Sequence, residues 1–173
     1  TYNGTILIGK QIVCDGFSSD RSHAVFTHIH LDHVQDVFEK ALHSCQIYTT
    51  YDTQQLLEAL NNDIYRTRRQ YHTLDVKPPN NTKIIGDEGE KLTFLPSAHM
   101  LGACQVHVTT PNGDTIGYSG DFTDEDTPPI CDILVIDATH GSPQFNKKNT
   151  NEESLGRRLV DIVEEKFLNE SRT

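Results

Sequence analysis

The segment Thr27-His28-Ile29-His30-Leu31-Asp32-His33 places three imidazoles and a carboxylate within six residues, directly after a short apolar run. Side chains alternate along an extended chain, so His28 and His30 point to one side and can meet one cation. Asp32 and His33 are adjacent where the chain should turn into a helix, and there they can face a second cation. Imidazole and carboxylate ligands suit Zn²⁺ first, with Mn²⁺ or Fe²⁺ as alternatives where the site is rich in oxygen. A single histidine beside an apolar run is usually only packed or solvated. Three of them followed by an Asp-His pair are hard to explain by packing, because buried imidazoles and carboxylates need partners.

Two further residues of ligand type fall at expected strand ends. His99 lies in Pro96-Ser97-Ala98-His99-Met100-Leu101-Gly102, after a strand at 92–95, and Asp121 lies in Tyr118-Ser119-Gly120-Asp121-Phe122, after a strand at 115–118. A sheet pre-orients ligands at its strand ends and leaves the loops free to admit a substrate. A carboxylate such as Asp121 can bridge two cations, which one imidazole nitrogen cannot do. Asp15, also at a strand end, is a candidate acceptor that would fix the tautomer of a histidine. His23, His43, His72 and His107 belong to no such constellation.

The elements that must position these groups follow from apolar spacing and turn residues. Residues 5–13 read as two short strands broken at Gly9-Lys10 and ending at Cys14-Asp15-Gly16, and residues 24–27 as a strand running into His28. Val34, Val37, Phe38 and Ala41 share one face of a helix over 34–45. A strand at 46–49 follows, and Asp52 is placed to cap a helix reaching about Leu60. Prolines, asparagines and glycines over 74–92 mark turns between short strands. Strands are expected at 92–95, 104–109 and 115–118, with a Pro-Asn-Gly-Asp turn between the last two. The continuous run 133–136 reads as a buried strand. Beyond it come an irregular polar stretch at 141–151 and an amphipathic helix at 152–168 carrying Leu155, Leu159, Ile162, Val163 and Phe167. The chain is therefore expected to be α/β, with one unit over 1–141 and the opening of a second over 142–173.

Composition narrows the function classes. The 173 residues include 15 basic and 25 acidic ones, a formal net charge of −10. Hydrophobic residues make up 35%, yet they come in patterned runs, which argues against a disordered chain. No apolar run approaches the roughly 20 residues of a membrane-spanning helix, and no membrane partner is expected. Four cysteines scattered at 14, 45, 104 and 131 do not make a disulfide framework, and they suit a reducing, cytoplasmic setting. The negative charge argues against a general basic face for nucleic acid, so a polyanion would have to be gripped locally. Arg66, Arg68 and Arg69, flanked by Tyr65 and Tyr71, are either a solvated charged face or a phosphate-contacting patch with aromatic platforms.

The HxHxDH pattern at His28, His30, Asp32 and His33, followed by His99 and Asp121, resembles the metallo-β-lactamase superfamily. Asp15-Gly16-Phe17, Ser119-Gly120-Asp121-Phe122 and the run from Leu134 to Gly141, which includes Asp137, are similar to its β-CASP nuclease branch. That branch includes RNA 3′-end-processing endonucleases, bacterial and archaeal ribonucleases and DNA cross-link repair nucleases. The resemblance implies an αββα sandwich, incomplete here on its C-terminal side, with 142–173 opening a β-CASP-like cassette. It implies that His28, His30 and His99 hold one zinc and that Asp32 and His33 hold a second, with Asp121 bridging. Asp15 and Asp137 would orient the ligands, so that Asp32, Asp121, Asp15 and Asp137 are the acidic set on which catalysis is expected to rest. The later histidines of such chains have no match, since His140 is the last in the sequence and falls too early, so the first metal should be held better than the second. The implied activity is two-metal hydrolysis of RNA or DNA phosphodiesters, with nucleic acid as partner and homo-oligomerisation left open. Two rivals remain at this point: a hydrolase of the same fold acting on a small ester, lactone or thioester, and a non-catalytic scaffold.

Overall fold

Ile12, Val13 and Cys14 are apolar at successive positions, so the strand they form must be covered on both faces. In the computed structural model, which describes residues 5–34, 45–60 and 71–139, all three are buried. The chain divides into two compact units, Thr1–Asp137 and Ala138–Thr173, and every described strand and helix belongs to the first. Residues 35–44 of the expected helix at 34–45, the arginine cluster at 66–69, the polar stretch at 141–151 and the helix at 152–168 lie outside the described residues.

Among the described residues the architecture is mixed α/β, built on two five-stranded sheets. The first has β1 (Ile6–Ile8), β2 (Ile12–Cys14), β3 (His23–Val25), β4 (Gln46–Thr49) and β5 (Tyr71–Thr73) side by side in that order. Only β1 and β2 are antiparallel; β2 to β5 run parallel. The second sheet contains β6 (Thr82–Ile85), β7 (Glu90–Pro96), β8 (Cys104–Thr109), β9 (Thr115–Tyr118) and β10 (Ile133–Val135), ordered β10-β9-β8-β7-β6. All its pairs are antiparallel except β9 with β10.

Alternation in β7 buries Leu92 and Phe94 and turns Lys91 outward, as a half-covered strand requires. Those two side chains join Val106, Val108 and Tyr118 against Ile8, Ile12, Cys14, Val25 and Tyr48 of the first sheet, forming the core between the sheets. The other face of the first sheet, with Val13, Ala24, Phe26 and Ile47, is covered by Val34 and by Leu57 of α1 (Tyr51–Leu60). Thr50, and not Asp52, caps this helix: its Oγ1 accepts from the Thr53 N–H at 3.2 Å. The shorter hydroxyl side chain sits at the first non-helical position, where it can reach the free N–H groups of the opening turn.

A second expectation is corrected, and one strand goes beyond those expected. The run at 133–136 forms an edge strand: Ile133 is 57% exposed and Leu134 40%, because β10 has a neighbour on one side only among the described residues. The parallel strand β5 was not expected, since its three residues are too few to show a period.

The hairpin β1–β2 is tied to the second sheet by one buried carboxylate. Glu90 is 1% exposed and accepts from the backbone N–H of Lys10 at 2.7 Å and of Gln11 at 3.2 Å. Gly9 turns the chain at φ +56°, and any side chain there would run into the Glu90 carboxylate. Replacing Glu90 with alanine leaves two donors without their acceptor, and we expect a loss of about 1–3 kcal/mol in urea unfolding. Glu90→Gln, which keeps one acceptor oxygen, should lose less. Equal stability of all three proteins would contradict this role.

Candidate metal centre

The strands β2, β3, β7 and β9 all deliver their C-terminal ends to one edge of the sandwich, and each end carries a residue of ligand type. Asp15 follows β2, the His28 loop follows β3, His99 follows β7 and Asp121 follows β9. Past β3, the chain stays extended through Phe26, whose N–H bonds Tyr48 O at 3.0 Å, and Thr27, whose carbonyl accepts from Cys104 N at 3.0 Å. It then turns sharply, with the N–H groups of His33 and Val34 both directed to His30 O at 2.9 and 3.2 Å. That turn brings the His33 ring within 4.2 Å of the His28 ring. Gly120, at φ +54°, lets the Asp121 loop pass close to Thr27; a Cβ there would lie 3.2 Å from the threonine side chain.

His28, His30, His99 and Asp121 converge so that one donor atom from each lies within 4.8 Å of the others. His30 Nδ1 is 3.0 Å from His28 Nε2 and 3.1 Å from His99 Nε2. Asp121 Oδ2 is 3.5 Å from His28 Nε2, 3.3 Å from His99 Nε2 and 3.9 Å from His30 Nδ1. Bonds of 2.0–2.1 Å in a tetrahedral site set donor atoms about 3.3–3.4 Å apart, so these separations are those of a cation site. The group could hold a metal ion, and its donor chemistry fits one.

The hydrogen bonds around Asp15 fix which nitrogens are free. Asp15 is 5% exposed and holds a left-handed backbone at φ 53°. Its carboxylate accepts from Thr27 N at 2.9 Å, Thr27 Oγ1 at 2.9 and 3.0 Å, Tyr118 OH at 2.9 Å and His33 Nδ1 at 2.8 Å. Thr27 has one hydroxyl hydrogen and gives it to Asp15, so at 3.1 Å Thr27 Oγ1 accepts from His28 Nδ1. The proton therefore sits on His28 Nδ1, and Nε2 turns its lone pair to the cluster. His33 likewise donates from Nδ1 to Asp15 and presents Nε2 to Asp121 Oδ1 at 3.2 Å.

The two rings differ in charge. Burial, then the neighbouring His33, lowers His28 to about 3, which keeps it neutral and ligating. Burial alone would also favour neutral His33, but the hydrogen bond and charge of Asp15, then the charges of Asp121 and Asp32, raise it to about 9.

The two oxygens of Asp121 thus face different partners: Oδ2 the three-histidine group and Oδ1 His33. Asp32 is not in the four-residue group. Its side chain is 82% exposed and reaches only to 3.7 Å from His33 Nε2. Asp137 is half-buried, its N–H donating to Ser119 Oγ at 2.9 Å, and it too stands outside the group. Thr27, Ser97, Tyr118 and Asp126 shape the site without having been singled out from sequence. A readable signal existed only for Tyr118, because a phenol in an apolar strand needs a partner for its OH.

No family model matches the chain. A curated relative from Acidianus ambivalens, described as an uncharacterized protein in lig 3′region, is 36% identical over 90 residues, covering 50% of this chain and 59% of that protein. Among solved structures, a Cronobacter sakazakii metallo-beta-lactamase with a HARLDQ motif aligns with a TM-score of 0.47 at 18% identity, covering 73% of this chain and 58% of that one. The metallo-beta-lactamase fold protein YhfI from Bacillus subtilis aligns with a TM-score of 0.49 at 16% identity, covering 69% and 55%. CmlA, a diiron beta-hydroxylase from Streptomyces venezuelae, aligns with a TM-score of 0.48 at 13% identity, covering 66% and 27%. The chain spans less than two thirds of the length of each of these proteins. No described helix is long and apolar enough to cross a membrane.

Proposed function

We propose that the chain carries the metal centre of a metal-dependent hydrolase of the metallo-β-lactamase superfamily, and that the whole protein is a nuclease of the β-CASP type acting on RNA or DNA phosphodiesters. The observation that carries the hydrolase reading is the convergence of His28, His30, His99 and Asp121 from three separate stretches of chain. The nuclease reading rests on the resemblance of the 134–141 run and of the segments around Asp15 and Asp121 to that branch.

In this reading His28, His30, His99 and Asp121 would hold the first ion, and His33 and Asp32 would belong to the site of a second. A divalent cation held there, zinc by the chemistry of the donors, would supply Lewis acidity for the hydrolysis. Thr27 and Asp15 hold the histidine tautomers, so the ligands need no reorganisation during turnover. Exposed His30 and Asp32 open the site to solvent, where a polymer can approach.

The net charge of −10 favours a second reading, a small ester, lactone or thioester as substrate. The two readings part on products. Labelled single-stranded RNA and DNA, a chromogenic phosphodiester and a thioester should be offered to the whole protein, with metal content measured beside them. We expect at least one zinc per chain and phosphodiester cleavage that stops with a chelator and returns with added zinc. Hydrolysis of the thioester alone overturns the nuclease reading, and a protein that takes up no divalent metal overturns both.

A further inference from the structure

His99 and Asp121 follow strands that are not neighbours: β8 lies between β7 and β9. Two strand spacings set the ends of β7 and β9 roughly 9–10 Å apart. Yet His99 Nε2 and Asp121 Oδ2 are 3.3 Å apart. The sheet does not determine that distance. The two side chains can span that gap only when the loops that carry them are held in register with one another.

Asp126 is the group that does so. Its Oδ1 accepts from the Ala98 N–H at 2.6 Å, in the loop that carries His99. Its Oδ2 accepts from the Thr123 N–H at 2.8 Å, in the loop that carries Asp121, and from Ser97 Oγ at 3.2 Å. Ser97 Oγ also lies 3.2 Å from the carbonyl of Asp121 and accepts from the His99 N–H at 3.3 Å. One carboxylate and one hydroxyl thus join the backbone entering His99 to the backbone leaving Asp121. The far end of the His99 loop is pinned separately, where Thr50 and Thr53 at the start of α1 donate to Gly102 O at 2.6 and 2.9 Å. With that end tied to the start of α1, the Ser97–Asp126 clasp sets how far His99 reaches toward Asp121.

We propose that Asp126, with Ser97, is a positioning pair that registers the His99 and Asp121 loops for metal binding. Neither side chain belongs to the four-residue group. The proposal rests on the metal-centre reading above, and its test separates the two.

Zinc affinity of the full chain is measured by competition with a chromophoric chelator, and Co²⁺ loading gives the ligand-field spectrum. Asp126→Ala should weaken Zn²⁺ binding about 10–100-fold and alter the Co²⁺ spectrum, the range found when groups that orient ligands are removed. Ser97→Ala should weaken binding in the same direction by less, and Ser97→Thr, which keeps the hydroxyl, should restore it. Asp124→Asn, a neighbouring acid with no part in the clasp, controls for lost negative charge and should match wild type. A purely structural role would lower the melting temperature of the chelator-treated chain and leave the Co²⁺ spectrum of the folded fraction unchanged, which overturns the proposal. So does wild-type zinc affinity in both Asp126→Ala and Ser97→Ala. If Asp126→Ala does not fold, Ser97→Ala and Ser97→Thr decide the matter alone. Failure of the wild-type chain to bind any divalent metal is a different result, and it removes the metal-centre reading together with the clasp.

Discussion

Replacing His28 and His30 together with alanine is expected to abolish tight metal binding and, on the proposed hydrolase reading, to slow turnover by about three orders of magnitude or more, since several kcal/mol of transition-state stabilisation would then depend on the metal. The two residues do not contribute alike. His28 is buried and hydrogen-bonded to Thr27, so its removal also opens a polar hole beneath the site. His30 is exposed and its ring lies against the other members of the cluster, so His30→Ala alone should leave the melting temperature of the chelator-treated protein unchanged. His28→Gln keeps a polar group of similar size and separates loss of ligation from loss of packing. Metal content and turnover measured on the same samples check the result. Activity surviving in the double variant would end the assignment of this cluster as the reacting centre.

Asp15→Asn should produce the largest loss of stability of any single change at the site, about 3 kcal/mol or more, together with a zinc affinity weakened about 10–100-fold. The reasoning starts from the backbone. At φ 53° alanine would add strain, whereas asparagine tolerates the left-handed region, so this substitution changes the charge and not the turn. Asparagine presents an NH₂ group to a pocket that holds four donors: Thr27 N, Thr27 Oγ1, His33 Nδ1 and Tyr118 OH. At least one buried donor then meets another donor. Tyr118→Phe removes a single donor and leaves none stranded, and should cost only about 1 kcal/mol. Chemical denaturation with the metal removed checks this order.

The pH dependence has a definite sign. His33, raised to about 9 in the folded protein against about 6.5 when unfolded, binds more protons folded. Its pairing with Asp15 therefore contributes fully below about pH 6.5 and is lost as the pH rises through about 9. The stability gap between wild type and Asp15→Asn, measured without metal, should narrow over that window. A gap that widens toward pH 9 would contradict the pairing.

Much of the site was legible because its residues are rare where they occur. Period-two alternation was enough to aim His28 and His30 together, and the ends of apolar runs marked Asp15, His99 and Asp121 as residues held by a sheet. Short-range order also revealed the hairpin at Gly9-Lys10 and the strands at 104–109 and 115–118. The cap of α1 was misplaced by two residues, because Thr50 and Asp52 are equally good capping types and only the turn geometry chooses between them. Apolar content alone suggested a buried strand at 133–136, but burial depends on neighbours, and among the described residues β10 has one on one side only.

By itself, the order of residues determined the chemistry available: histidines and carboxylates at strand ends, in numbers and spacing that packing does not require. Which of them meet was decided by the tertiary structure. The exposure of Asp32, the two-sided placement of Asp121, the burial of Asp15 beneath two histidines and the Ser97–Asp126 clasp all join positions far apart along the chain. A local pattern specifies the direction of a side chain relative to its own strand. Distances between loops leaving different strands depend on strand order, sheet packing and the hydrogen bonds that draw those loops together, and none of these is a property of any one segment.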